Sequence, residues 1–129
     1  GGGFAGIRTR LIDPPLDLSE CRGLKLRVSG GDGRRFKFIV RDDTEWNGVA
    51  WTFSFDTKKN GQGTVVEVPF SKLVPTRFAR VVPGLGSGPD RRSITALQFT
   101  YSKFEYDGGL NPNFEPGPFE LKVQSVVAL

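Results

Sequence analysis

At 129 residues the chain is one domain's worth of sequence, enough to bury about two-thirds of its surface on folding. Its 18 Lys and Arg against 14 Asp and Glu leave a net charge of +4, a modest bias toward anionic partners rather than a histone-like excess. With no His and one Cys it lacks the commonest general base, the commonest metal ligand, any internal disulfide and any cysteine cluster for zinc.

Seventeen Gly, nine Pro and 11 Phe describe a strand-and-turn protein, and no window shows a sustained helical apolar period with caps. An all-β sandwich is the expectation. The lone Cys21 favours a reducing compartment. A Gly1-Gly2-Gly3 start without Met is expected of a segment cut from a longer protein, so a missing targeting peptide carries no information. No apolar run approaches the ~18 residues of a spanning helix, and no direct membrane insertion is expected.

In chain order, Phe4 to Arg10 reads as an opening strand ended by Asp13-Pro14-Pro15, since proline supplies no ladder donor. Leu16 to Ser19 is a connector. Leu24 to Arg41 alternates strictly: Leu24, Leu26, Val28, Phe36, Phe38 and Val40 on one face, Lys25, Arg27, Ser29, Arg35, Lys37, Ile39 and Arg41 on the other. With Gly30-Gly31-Asp32-Gly33 between the halves, the stretch reads as a hairpin. Its register sets Val28 against Phe36 and Leu26 against Phe38, which opposes Arg27 to Lys37, a like-charge placement that costs stability.

Asp42 to Glu45 is a compact acidic loop and Trp46-Asn47-Gly48 a turn. Val49 to Asp56 alternates again, with Trp51, Phe53 and Phe55 as packing residues. A turn at Lys58 to Gly61 leads to a strand over Gly63 to Val68, closed by Pro69-Phe70-Ser71. Lys72 to Arg92 reads as a long irregular excursion; such loops are usually functional or mobile. Strand character resumes over Ile94 to Tyr101. A second long loop spans Phe104 to Gly117, and the last strand runs from Phe119 to Val127. With no repeat and no linker, residues 1–129 are expected to form one domain.

The cations on the hairpin's wet face, Lys25, Arg27, Arg35, Lys37 and Arg41, are candidate anion contacts, with Arg8 and Arg10 extending the set if the first strand lies nearby. The plainer reading is a solvated face whose charges pair with Glu67, Asp56 or Glu120. Trp46, Arg77, Arg80, Arg91, Arg92 and Tyr106 are candidate loop contacts, as loop aromatics stack on bases or sugars or else lid the core; Phe114 shares that choice. Gly84-Leu85-Gly86-Ser87-Gly88 lacks the strand, helix and terminal Lys-Ser/Thr of a phosphate cradle and reads as a flexible loop. Asp42, Asp43, Glu45 and Asp56 match no calcium-loop spacing and read as turn makers. No nucleophile–base pair presents itself, so no catalytic residue, metal or cofactor is expected.

Several runs carry a family resemblance: Gly3-Phe4-Ala5-Gly6-Ile7-Arg8, Asp17-Leu18, Gly23-Leu24 leading into Leu26-Arg27-Val28, and above all Gly31-Asp32-Gly33-Arg34-Arg35-Phe36-Lys37-Phe38. Val68-Pro69-Phe70-Ser71 and Gly117-Pro118-Phe119-Glu120-Leu121 complete it. Together they resemble the domain named for complex I intermediate-associated protein 30, over essentially the whole chain. The resemblance implies a jelly-roll sandwich similar to galactose-binding-like and carbohydrate-binding modules. It also implies a role in mitochondrial complex I assembly or within chloroplast proteins. The Arg80 to Arg92 insertion and the Asp42 to Trp46 loop look most like the chloroplast branch. There the domain sits in an atypical short-chain dehydrogenase-like protein that promotes translation of a photosystem II reaction-centre mRNA. The family has no established catalytic motif to transfer. Its sugar-binding relatives use aromatics on a sheet face, where the hairpin offers only charge, Ser29 and Ile39.

The resulting expectation is a non-catalytic accessory domain of a chloroplast translation and photosystem II biogenesis factor, contacting mRNA, protein or both through a basic sheet face. Expected partners are RNA and proteins, including the dehydrogenase-like remainder of the chain, in the chloroplast stroma or at the thylakoid. The alternatives are a protein-interaction module for assembling a membrane complex, with a mitochondrial location, and a carbohydrate-binding module.

Overall fold

In the computed structural model, residues 4–78, 80–105 and 109–129 are described. Two antiparallel sheets face each other across one apolar layer, an all-β sandwich with no α-helix among the described residues. The strands are β1 (Phe4–Arg8), β2 (Gly23–Gly30), β3 (Arg35–Arg41), β4 (Ala50–Asp56), β5 (Thr64–Pro69), β6 (Val74–Arg77), β7 (Arg80–Val81), β8 (Ala96–Ser102) and β9 (Leu121–Ala128). The larger sheet is ordered β1-β8-β3-β4-β6-β7, the smaller β5-β2-β9.

The expected hairpin is corrected by this order. β2 pairs with β5 and β9, whereas β3 pairs with β4 and β8, so the chain changes sheets between Gly30 and Arg35. Alternation decides which side chains turn inward, and both topologies satisfy it. Placing the strands in opposite sheets lets Leu26 and Val28 meet Phe36 and Phe38 across the core, all at 2% exposure or less. It also removes the Arg27–Lys37 opposition, because the two outer faces point away from each other. Gly30, Gly31, Asp32 and Gly33 all have positive φ at this crossover. At Gly30 (φ +84°) a Cβ would also lie 2.5 Å from the Glu120 carbonyl oxygen.

A further expectation changes. The excursion after Lys72 contains β6 and β7, which extend the larger sheet beyond β4, with Thr76 opposite Ala50 and Val74 opposite Thr52. In β9 the register shifts between Arg27 and Val28 of its partner, so Val123 and Val126 both reach the core although their spacing breaks the two-residue period. One extra residue in a strand flips the side chains beyond it to the other face. Phe36, Tyr101, Phe114 and Phe119 close one end of the core, with Phe114 stacked on Tyr101 at 5.1 Å between ring centroids. Phe114 is therefore a lid on the core.

Candidate functional site

The outer face of the larger sheet carries a cleft. The strand phase that sends Phe38, Phe99 and Trp51 inward turns Lys37, Ile39 and Arg41 of β3 outward, with Gln98, Thr100 and Ser102 of β8 and Thr52 of β4. Small hydroxyl-bearing side chains over adjoining strands leave a hollow of about 360 Å³, and Phe4, Phe78, Arg77 and Phe104 stand along its edge. Phe4 and Phe78 are 69% and 77% exposed. Phe78 holds φ +53° in the β6–β7 turn, a left-handed conformation costly for an aromatic residue.

The floor is tightly hydrogen-bonded. The Thr76 hydroxyl donates to the Ala50 carbonyl at 3.1 Å and lies 3.2 Å from the Thr52 hydroxyl. Ser102 Oγ accepts from Lys37 Nζ at 3.3 Å and donates to the Phe104 carbonyl at 2.8 Å. Burial pushes the half-buried Lys37 ammonium below its usual pKa, and the charge of Glu105 partly opposes this. Arg41 is buried: Nε and Nη2 donate to Gln98 Oε1, each at 3.2 Å, and Nη1 to the Gly48 carbonyl at 3.1 Å. Burial first, then the nearby charge of Arg8, draws its pKa down, with Asp43 acting in the opposite sense.

The remaining cations are dispersed. Lys25 and Arg27 lie on the outer face of the smaller sheet, Lys25 directly opposite Glu67 and Arg27 opposite Val65. The single basic face expected for Lys25, Arg27, Arg35, Lys37 and Arg41 is thus divided between opposite sides of the sandwich. Arg35 is engaged: Nε and Nη2 meet the Asp56 carboxylate at 2.8 and 3.0 Å, and Nη1 meets Glu105 at 3.0 Å. Hydrogen bonds to Asp56 lead in raising its pKa, and Arg35 in turn holds the Asp56 carboxyl below its usual value. Arg8 lies over the Trp46 ring at 5.1 Å, on the edge strand β1, and Arg10 lies just beyond that strand, exposed.

Among the loop candidates, Trp46 is 81% exposed. Arg77 and Arg80 face each other across the β6–β7 turn, both exposed. Arg91 caps Phe70 and donates to the Cys21 carbonyl at 2.8 Å, and Arg92 pairs with Asp90, so these two brace loops. Tyr106 lies outside the described residues. The acidic loop residues are also placed as braces: Asp42 accepts the Asp90 amide and Asp43 the Glu45 amide. Gly84 to Gly88 form an exposed connection, with no helix following.

Sequence reasoning missed the cleft's own residues: Phe4, Thr52, Thr76, Phe78, Gln98, Thr100, Ser102 and Glu105. One signal was present. Gln98-Thr100-Ser102 and Thr52-Ser54 are short polar side chains at every second position of strands whose alternate residues are large and apolar. The missing link was which strands lie side by side.

The family model for complex I intermediate-associated protein 30 matches residues 1–123. The chain belongs to that family. The family is, by its name, associated with assembly of a multisubunit complex, which makes protein-interaction character its coarse attribute. An uncharacterized protein of Schizosaccharomyces pombe is 26% identical over 136 aligned positions, covering 100% of this chain. The chain spans 58% of that relative's length. This complex I intermediate-associated protein 30 domain thus presents, on one sheet face, a polar hollow edged by exposed aromatics, and on the other a solvated charged surface.

Proposed function

We propose that this chain is a non-catalytic protein-binding module of a complex-assembly factor, and that it docks its partner in the cleft of the larger sheet. The carrying observation is the pairing of a preformed polar hollow with the outward-held Phe4 and Phe78. Exposed aromatics beside a shaped recess are the usual anchors of recognition surfaces. Membership of an assembly-associated family supports the same reading. A mitochondrial location accompanies it.

The chloroplast translation-factor setting, with mRNA and a dehydrogenase-like remainder as partners, is the second reading. What favours it is the β6–β7 tip, where exposed Arg77 and Arg80 flank exposed Phe78, a cation-and-ring combination suited to unpaired bases. The division of the other cations between two faces is why it ranks second.

The test is photo-crosslinking in organelle extract, with a photoreactive phenylalanine at position 78 and, as control, at position 27. A protein partner captured from position 78 alone supports the binding-module reading. Capture of RNA from position 78 replaces it with the second reading, and capture only from position 27 rejects both.

A further inference from the structure

We propose that the cleft floor is a carboxylate site, taking Asp or Glu side chains from an extended acidic segment of a protein partner. The inference rests on the binding-module reading and deepens it.

Arg41 is 9% exposed, and its hydrogen bonds run to the neutral acceptors Gln98 Oε1 and the Gly48 carbonyl. Among the described residues no carboxylate lies within ion-pair distance of it: Asp43 acts on it only from longer range, and Arg8 adds a second positive charge nearby. Lys37 repeats the pattern: half-buried, its ammonium bonds to Ser102 Oγ. Among the described residues the acid acting on it is Glu105, which is occupied by Arg35 at 3.0 Å and by the Ser54 hydroxyl at 2.6 Å. Desolvated cations without a direct ion pair are costly, and an anion that enters the same low-dielectric space offsets part of that cost.

Geometry favours a side-chain carboxylate over a phosphodiester. Lys37 and Arg41 are four residues apart on β3, about 13 Å along the strand, the spacing of positions i and i+4 on one face of an extended partner. Both cations are recessed below Phe4 and Phe78, where a carboxylate on a flexible stem reaches and a phosphate set between two riboses is held off. Arg77 on the lip supplies a further exposed positive charge. The rim aromatics would pack on the apolar side chains between the acids.

The test uses the ¹⁵N-labelled 129-residue chain with three probes: a short labelled extended peptide with Glu at every fourth position, Leu midway between the acids and Ser elsewhere, its Gln-for-Glu counterpart, and an oligouridylate. The Glu peptide is expected to bind about tenfold or more tighter than the Gln peptide at low salt and to shift backbone amides of β3 and β8. Lys37→Gln should weaken it about fivefold or more without lowering Tm, and Arg41→Gln should do the same where it folds. Equal binding of the two peptides, no binding of the Glu peptide, or its displacement from β3 and β8 by the oligouridylate overturns the carboxylate site. Equal binding together with a loss on Phe78→Ala discards the carboxylate site alone and leaves the binding-module reading standing. Shifts confined to β2 and β9 discard both.

Discussion

Arg41 and Gln98 are joined by two hydrogen bonds of 3.2 Å inside the cleft, so an arginine placed on the wet face by strand phase is in fact buried. The carboxamide oxygen orients the guanidinium without neutralising it. A recognition surface can be built this way, with charge fixed in place and held without a direct ion pair.

The sheet crossover has a direct consequence for charge coupling. Arg27→Gln and Lys37→Gln should be additive in urea unfolding, with a coupling energy below about 0.5 kcal/mol, because their side chains lie on opposite faces. In a hairpin they would be cross-strand neighbours of like charge, and relieving one would change the effect of the other.

The inward half of the fold was readable from alternation alone. Leu24, Leu26, Val28, Phe36, Phe38, Val40, Trp51 and Phe55 are all buried, as their phase requires. Pairing was not readable, because a period of two describes one strand's faces and leaves its neighbours open. β6 was hidden by Pro75 within a Pro- and Gly-rich stretch, where a short strand beside the sheet's edge tolerates a missing donor. Arg41 and Lys37 were found as charges. Their burial was not, because it depends on Gln98, Gly48 and Ser102, all remote or across a turn.

Phe38 and Phe78 should behave in opposite ways. Phe38→Ala empties a fully buried site and should cost about 3–5 kcal/mol in chemical unfolding. Phe78→Gly removes an exposed ring from a left-handed backbone and should raise stability by up to about 1 kcal/mol while weakening partner binding. Stability gained as affinity is lost would mark Phe78 as retained for recognition.

Gly30→Ala should lower stability by about 1–3 kcal/mol, since the new methyl meets both positive φ and the Glu120 carbonyl oxygen. Gly61 also has positive φ but faces open space, so Gly61→Ala should cost less. Thermal melts of the two variants give the comparison.

Asp56 should give stability an acid limb. Its carboxyl pKa is held below 3.8, chiefly by the Arg35 hydrogen bonds, so the folded state binds its proton less readily than the unfolded chain. The stabilisation is present above the unfolded pKa and disappears as pH falls through the folded value. Asp56→Asn should therefore lower Tm at pH 7, by the equivalent of no more than about 1 kcal/mol for so exposed a pair, and flatten the fall in Tm between about pH 5 and pH 2.

On the proposed function, recognition belongs to the aromatic-edged cleft of the larger sheet and not to the charged face of the smaller one. The most direct test is the affinity of the crosslinked partner for two double variants, Phe4→Ala with Phe78→Ala and Lys25→Gln with Arg27→Gln. The first should lose about tenfold or more, and the second should change less than about twofold. A loss confined to the second pair would contradict the account.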